Sequence, residues 1–244
     1  MQLLVVNPNT TESVTRRLQD HVSAIVGDEA TVRSVTATFG GRYISDELSF
    51  AVAAHAALDA VASDIAEHGE SDALLLGCFG DPGFDALRQL TGRPMVGLAE
   101  AAMREAASYG RFAIVTGGAA WKPMLGRLAR ALGWREALHA AHVIEASGAQ
   151  LASDPKAAVA LLRDVCIQTS ADVDAVILGG AGLAGMAAKI ESAMDVPLID
   201  SVSAGARAPV QAARKAGPAT APDPRPITTV EWQGLSAPLL QRLR

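Results

Sequence analysis

The stretch Ala73-Leu74-Leu75-Leu76-Gly77-Cys78-Phe79-Gly80-Asp81-Pro82-Gly83-Phe84 returns at an offset of 102 as Ala175-Val176-Ile177-Leu178-Gly179-Gly180-Ala181-Gly182-Leu183-Ala184-Gly185-Met186, with five of the twelve positions identical. Each copy is a short apolar run that ends in glycines and leads into an apolar-periodic stretch. Each is followed by a proline-led strand candidate, Arg93-Pro94-Met95-Val96 and Val196-Pro197-Leu198-Ile199. Each half also opens on an apolar strand that closes in a polar turn, Val6-Asn7-Pro8-Asn9-Thr10 and Val115-Thr116-Gly117-Gly118. Four features in the same order describe one unit built twice.

The unit is α/β. Apolar runs at Leu3–Val6, Thr31–Val35, Ala73–Leu76, Met95–Val96, Phe112–Val115, His142–Ile144, Ala175–Leu178 and Leu198–Ile199 alternate with stretches of helical period near 11–26, 47–68, 83–91, 99–108, 120–132, 155–170, 184–194 and 202–215. Strands that are apolar throughout, separated by helices, predict parallel sheets covered on both faces. The expected architecture is two pseudo-symmetric parallel-sheet α/β halves, residues 1–110 and 111–201, with the 202–215 helix able to rejoin the first half. In such sheets ligands lie outside the carboxyl ends of the strands, here in the cleft between the halves. Residues 217–226 hold four prolines in ten and begin an extended tail, 217–244, that ends in a short helix from Ser236.

Composition narrows the function classes. A net charge of −5 leaves no footprint for nucleic acid or an anionic membrane. No apolar run is read as approaching the ~18–20 residues that span a bilayer, and the N-terminus lacks a basic region before its apolar run. Two cysteines form no disulfide framework and no zinc spacing. The expectation is a cytoplasmic protein that works on a small molecule, without nucleic-acid or membrane partners.

Cys78 is the leading candidate for chemistry. It follows a buried strand and precedes a helix with Pro82 expected in the first turn, so its thiol should meet unpaired N–H groups and a positive helix end. Both favour thiolate and predict a pKa lowered from ~8.5 toward neutrality. Cys166 lies within the helical run Leu161-Leu162-Arg163-Asp164-Val165-Cys166 and reads as core. Asn9 can cap the following helix or lend its amide to a substrate. Gly179-Gly180-Ala181-Gly182 is a turn of the type that cradles phosphate, but the chain has no Gly-x-x-x-x-Gly-Lys-Ser/Thr and no dinucleotide fingerprint. The five histidines are scattered and expected at the surface.

Together these residues resemble the aspartate/glutamate/hydantoin racemase family, in its hydantoin and allantoin racemase branch. The resemblance rests on Val6-Asn7-Pro8-Asn9-Thr10, Phe39-Gly40, Gly77-Cys78-Phe79-Gly80-Asp81-Pro82-Gly83, Val96-Gly97-Leu98-Ala99-Glu100-Ala101-Ala102-Met103, Val115-Thr116 and Leu178-Gly179-Gly180-Ala181-Gly182, in that order over roughly residues 1–216. It implies two α/β halves with the site between them, no cofactor, no metal and a homo-oligomer, dimer or tetramer. It further implies two thiols that flank the substrate carbon, one removing and one returning the proton. On this footing Cys78 is the acid/base thiol. Asn9, Phe39, Tyr43, Phe79, Gly80, Thr116, Gly117, Gly180 and Ala181 form the substrate-binding surface, and the loops around Tyr43 and Trp121 select the substrate side chain.

The chain departs from the pattern at one position. The second thiol of the family belongs in Leu-Gly-Cys-Ala-Gly, and here Gly180 stands in its place. The implied activity is a racemase- or epimerase-like proton transfer on an amino-acid derivative such as a hydantoin. The alternatives are a one-thiol decarboxylase of a malonate-like acid, as in the related arylmalonate decarboxylase, and a ligand-binding relative without turnover.

Overall fold

The computed structural model describes residues 1–144, 154–216 and 230–243; the proline-rich stretch 217–226 lies outside them. Among the described residues, eight strands form two four-stranded sheets. In the first, β1 (Gln2–Asn7), β2 (Thr31–Thr36), β3 (Ala73–Leu76) and β4 (Met95–Gly97) lie in the order β2-β1-β3-β4. In the second, β5 (Phe112–Gly117), β6 (Leu138–Ile144), β7 (Ala175–Leu178) and β8 (Leu198–Asp200) lie in the order β6-β5-β7-β8. Every pairing is parallel, with Val5 opposite Leu75 and Leu75 opposite Val96 in one sheet, Ile114 opposite Ile177 and Ile177 opposite Ile199 in the other. The central strands β1, β3, β5 and β7 are buried almost end to end, which is why their sequences are runs of Leu, Val and Ile rather than alternations.

The helices are α1 (Glu12–Val26), α2 (Glu47–His68), α3 (Phe84–Thr91), α4 (Leu98–Ala107), α5 (Trp121–Ala131), α6 (Pro155–Ser170), α7 (Ser201–Ala216) and α8 (Ala237–Arg242). In α1, Val14, Leu18, Val22 and Val26 recur at four-residue spacing and form its buried stripe. Two helices trade places. α4 follows the first sheet but packs against β7 and β8, whereas α7 follows the second sheet and packs against β3, β4, α1 and α4. Gly205 makes the α7 contact possible: a Cβ there would stand 2.6 Å from Leu98 Cδ2 and 3.1 Å from Leu75 Cδ1.

Two sequence expectations change. The helix read at 184–194 is instead a pair of 3-10 turns, Ala187–Lys189 and Glu191–Ala193. Gly185 adopts φ 76° and gives its N–H to the Asp200 carboxylate at 3.1 Å, so the apolar periodicity of this stretch has no continuous helical backbone to act on. Against the expectation that no segment approaches a bilayer span, one helix passes that test. α2 is long and apolar enough by length and composition, with an 18-residue window of mean hydropathy 1.3. Here it packs against β1, β2, α3 and α8. It also buries Asp59 and Asp64, and Arg33 grips the Asp64 carboxylate with Nε at 2.9 Å and Nη2 at 2.7 Å.

Candidate active site

The two sheets direct their carboxyl ends at one cleft of about 150 Å³. The turn after β3 supplies Gly77, Cys78 and Phe79, and its pseudo-symmetric counterpart after β7 supplies Gly179 to Leu183. The correspondence extends to the backbone. Gly77 donates its N–H to Val6 O at 2.8 Å, and Gly179 donates its N–H to Val115 O at 2.9 Å. Cys78 and Gly180 therefore occupy equivalent places, each one residue past an anchored glycine.

The other walls come from the turns after β1 and β5 and from the loop before α2. Asn9 is held from within: Asn7 donates Nδ2 to Asn9 Oδ1 at 3.1 Å, and Thr11 donates its N–H to the same oxygen at 2.9 Å. The Asn9 carbonyl oxygen is thus spent on shaping the entry to α1. Asn9 lines the cleft, and its Nδ2 has no protein acceptor among the described residues. Thr116 donates Oγ1 to Gly179 O at 2.8 Å, tying the two turns of the second half. Tyr43, Gly117 and Trp121 also line the cleft. The Phe79 ring lies on Gly179, where an added Cβ would come within 2.3 Å of it.

Two of the residues expected at the site are elsewhere. Phe39 is outside the cleft and meets His55 edge-on, with ring centroids 5.1 Å apart. Gly80 faces the back of Trp121, where a Cβ would lie 2.3 Å from Cζ3. His21, expected at the surface, is half-buried with Nε2 3.0 Å from Ser203 Oγ. Cys166 is fully buried in α6, and burial pushes its thiol up to about 12, in keeping with a core role.

The electrostatics of Cys78 run opposite to the expectation. Burial raises its pKa well above the ordinary thiol value, and the neighbouring Asp81 raises it further. The cause of the miss is local geometry. Asp81 takes φ 56° and Gly83 takes φ 76°, two left-handed residues that break the path from Cys78 to α3. The helix starts only at Phe84, so its N–H groups do not address the thiol. Asp81 serves a different helix. Its Oδ1 accepts from the Ala99 N–H at 3.1 Å and its Oδ2 from the Glu100 N–H at 2.8 Å, so it caps α4 from a distant loop. Burial nevertheless lifts its pKa to about 7, against the pull of these backbone donors.

The arrangement offers one thiol and several unengaged donors. Neither Cys78 and Phe79 nor Ala181 and Gly182 has a protein acceptor for its backbone N–H among the described residues. Donors of this kind on both sides of a cleft suit an oxygen that gains charge. Among the described residues no group of three or more His, Cys, Asp or Glu is placed to hold a metal ion. Arg17, on the cleft side of α1, was missed from the sequence; its position beside Val14 of the buried stripe is the signal that could have found it. A larger cavity of about 510 Å³ lies under α8, but its lining is apolar apart from His55 and Gln89 and holds no thiol.

Residues 3–208 match the family described as Asp/Glu/Hydantoin racemase. A hydantoin racemase of Paenarthrobacter aurescens is 29% identical over 210 residues, which span 85% of this chain and 89% of that protein. The structure of allantoin racemase from Klebsiella pneumoniae superposes with a TM-score of 0.85 at 27% identity, covering 100% of this chain and 98% of the other. Arylmalonate decarboxylase shares the fold at a TM-score of 0.61 and 19% identity, over 93% and 96% of the two chains.

Proposed function

Because this chain belongs to the Asp/Glu/hydantoin racemase family, we propose that it is a cofactor-independent, racemase- or epimerase-like enzyme that moves a proton at an activated carbon of an amino-acid derivative such as a hydantoin. The observation that carries this reading is Cys78, a thiol on one of two turns that line the cleft and whose backbone N–H groups are unengaged. The relatives named hydantoin racemase and allantoin racemase supply the substrate class.

In this reading the substrate carbonyl oxygens lie against the N–H groups of Phe79, Ala181 and Gly182 and the Nδ2 of Asn9. Thr116 and Gly117 form the opposite wall, and Tyr43 and Trp121 bound the side chain. Removing the proton from carbon moves charge onto a carbonyl oxygen, and donors fixed in place stabilise that charge without reorganising. A sulfur base must first be ionised, and burial together with Asp81 holds Cys78 in its thiol form. Proton abstraction should therefore accelerate as pH rises. At the second face Gly180 presents no side chain, so the returning proton comes from water or from a residue other than cysteine.

The protonated state of Cys78 supports a second reading. A thiol that keeps its proton is suited to give it up. In a malonate-like acid, the bond from carbon to one carboxylate breaks, carbon dioxide leaves, and the electron pair remains as an enediolate. Cys78 then transfers its proton to that carbon, and solvent restores the thiol.

One experiment separates the two. A single enantiomer of a 5-substituted hydantoin is incubated with the enzyme in deuterated water and followed by NMR and polarimetry. Deuterium uptake with loss of rotation is the expected result for the racemase. Uptake with rotation retained means exchange on one face. Carbon dioxide released from an arylmalonate, with neither change in the hydantoin, transfers the assignment to the decarboxylase. Cys78→Ala should abolish whichever activity is found, and activity that survives it overturns the role of Cys78.

A further inference from the structure

The cleft contains a cation that has no counter-ion among the described residues. Arg17 projects from α1 and donates Nη1 to Gly182 O at 2.5 Å, across the boundary between the halves. Among the described residues no carboxylate lies within ion-pair distance of it, and neither Asp nor Glu lines the cleft. A guanidinium carries five N–H donors in a rigid fork, and one suffices for the Gly182 carbonyl.

Its position bears on the vacancy at Gly180. The residue that Arg17 holds lies two positions beyond Gly180, in the turn equivalent to the one that carries Cys78. A guanidinium neither takes nor gives a proton in the range where enzymes work, so Arg17 is no substitute for a second thiol. It can bind an anion. Two parallel N–H bonds to a carboxylate are strong and directional, and the tie to Gly182 O sets the fork in advance. A neutral ligand offers the guanidinium at most a carbonyl acceptor, a weaker partner than a carboxylate.

We propose that Arg17 anchors a substrate carboxylate, and that the preferred substrate is a hydantoin whose 5-substituent ends in one. This rests on the proton-transfer reading above and adds to it the charge of the substrate. C5 of the ring would then face Cys78 while the side-chain carboxylate lies across the cleft beside the Gly179–Leu183 turn. Arg17 determines specificity, and Cys78 remains the acid/base group.

The test compares 5-(carboxymethyl)hydantoin with its near-isosteric amide, 5-(carbamoylmethyl)hydantoin, by deuterium exchange at C5. With the wild-type protein, kcat/KM should be at least tenfold higher for the acid. Arg17→Gln should erase that preference by raising KM at least tenfold more for the acid than for the amide, and Arg17→Lys should restore part of it. A wild-type protein that treats acid and amide alike overturns the proposal. So does an Arg17→Gln variant that loses both substrates equally, since Arg17 then only ties the turn to α1. If neither compound exchanges, the proton-transfer reading fails by itself, and calorimetric binding of the same pair still decides the anchor. Selective binding of the acid that disappears in Arg17→Gln sustains it. Equal binding, or none, overturns it.

Discussion

Asp81→Asn pits burial against backbone hydrogen bonding at one carboxyl group. The substitution preserves shape, and asparagine tolerates the left-handed φ of 56° found here. In the folded protein burial lifts the Asp81 pKa from 3.8 to about 7. A difference of roughly three units, at about 1.4 kcal/mol per unit, corresponds to about 4 kcal/mol. The unfolded chain releases this proton near 3.8, whereas the folded protein holds it until pH approaches 7. The group's contribution is therefore fully present below the lower value and is lost as pH rises through the upper one. Asparagine has no such proton, so the variant should gain on the wild type by about 4 kcal/mol between about pH 4 and pH 8. A pH-independent cost of about 1–3 kcal/mol is superimposed, because the amide Nδ2 must face one of the two N–H groups of α4. Urea unfolding of both proteins across this range reads the difference, and their subtraction removes the other carboxyl groups. A flat difference, or one that moves toward the wild type with pH, would refute the reasoning and mean that the α4 N-terminus outweighs burial. The same variant removes a charge that disfavours the Cys78 thiolate, so alkylation by iodoacetamide at about pH 8 should be faster than in the wild type.

Three further outcomes are expected. Gly180→Cys restores a thiol opposite Cys78: the nearest atom to a Cβ there is Leu183 Cγ at 3.6 Å, so the side chain fits. Its φ of 140° should lower stability by about 1–3 kcal/mol, and polarimetry should show faster loss of rotation from a chiral hydantoin than in the wild type. Gly80→Ala places a Cβ 2.3 Å from Trp121 Cζ3 at φ 149°, and urea unfolding should show a loss of at least about 2 kcal/mol, with KM raised through the displaced indole. Arg33→Met leaves the buried Asp64 carboxylate without its fork, and the loss should be about 3 kcal/mol by the same measurement, largely recovered when Asp64→Asn is added.

Most of the architecture was legible because it is written in short range. A parallel strand buried on both faces must be apolar at every position, and Leu3–Val6, Ala73–Leu76 and Ala175–Leu178 are. The cleft followed from the repeat, which placed Cys78 and Gly180 at equivalent turns. What stayed hidden depends on contacts between residues far apart in sequence. Asp81 caps α4 across an 18-residue separation, with Gly97 at the cap position itself, so no local capping pattern marks it. The thiol's environment was misread because Pro82 suggested a helix start that the left-handed Asp81 and Gly83 postpone. The 184–194 stretch has helical periodicity, but Gly185 and its bond to Asp200 interrupt the backbone. Arg17 looks like one of two adjacent surface arginines until Gly182, 165 residues away, is brought beside it.

The exchange of α4 and α7 bears on how such a molecule can come to have unlike turns. Two separate copies of a single half-chain could satisfy each other in the same manner, each lending its last helix to the other's sheet. A pair of that kind, related by a twofold axis, would carry the same residue at both turns, so that a thiol gained or lost on one side is gained or lost on both. Fusing the copies into one chain keeps the reciprocal packing and lifts the identity. In one chain the two turns are free to differ, with a sulfur at position 78 and glycine at position 180, and the cleft is handed rather than symmetric.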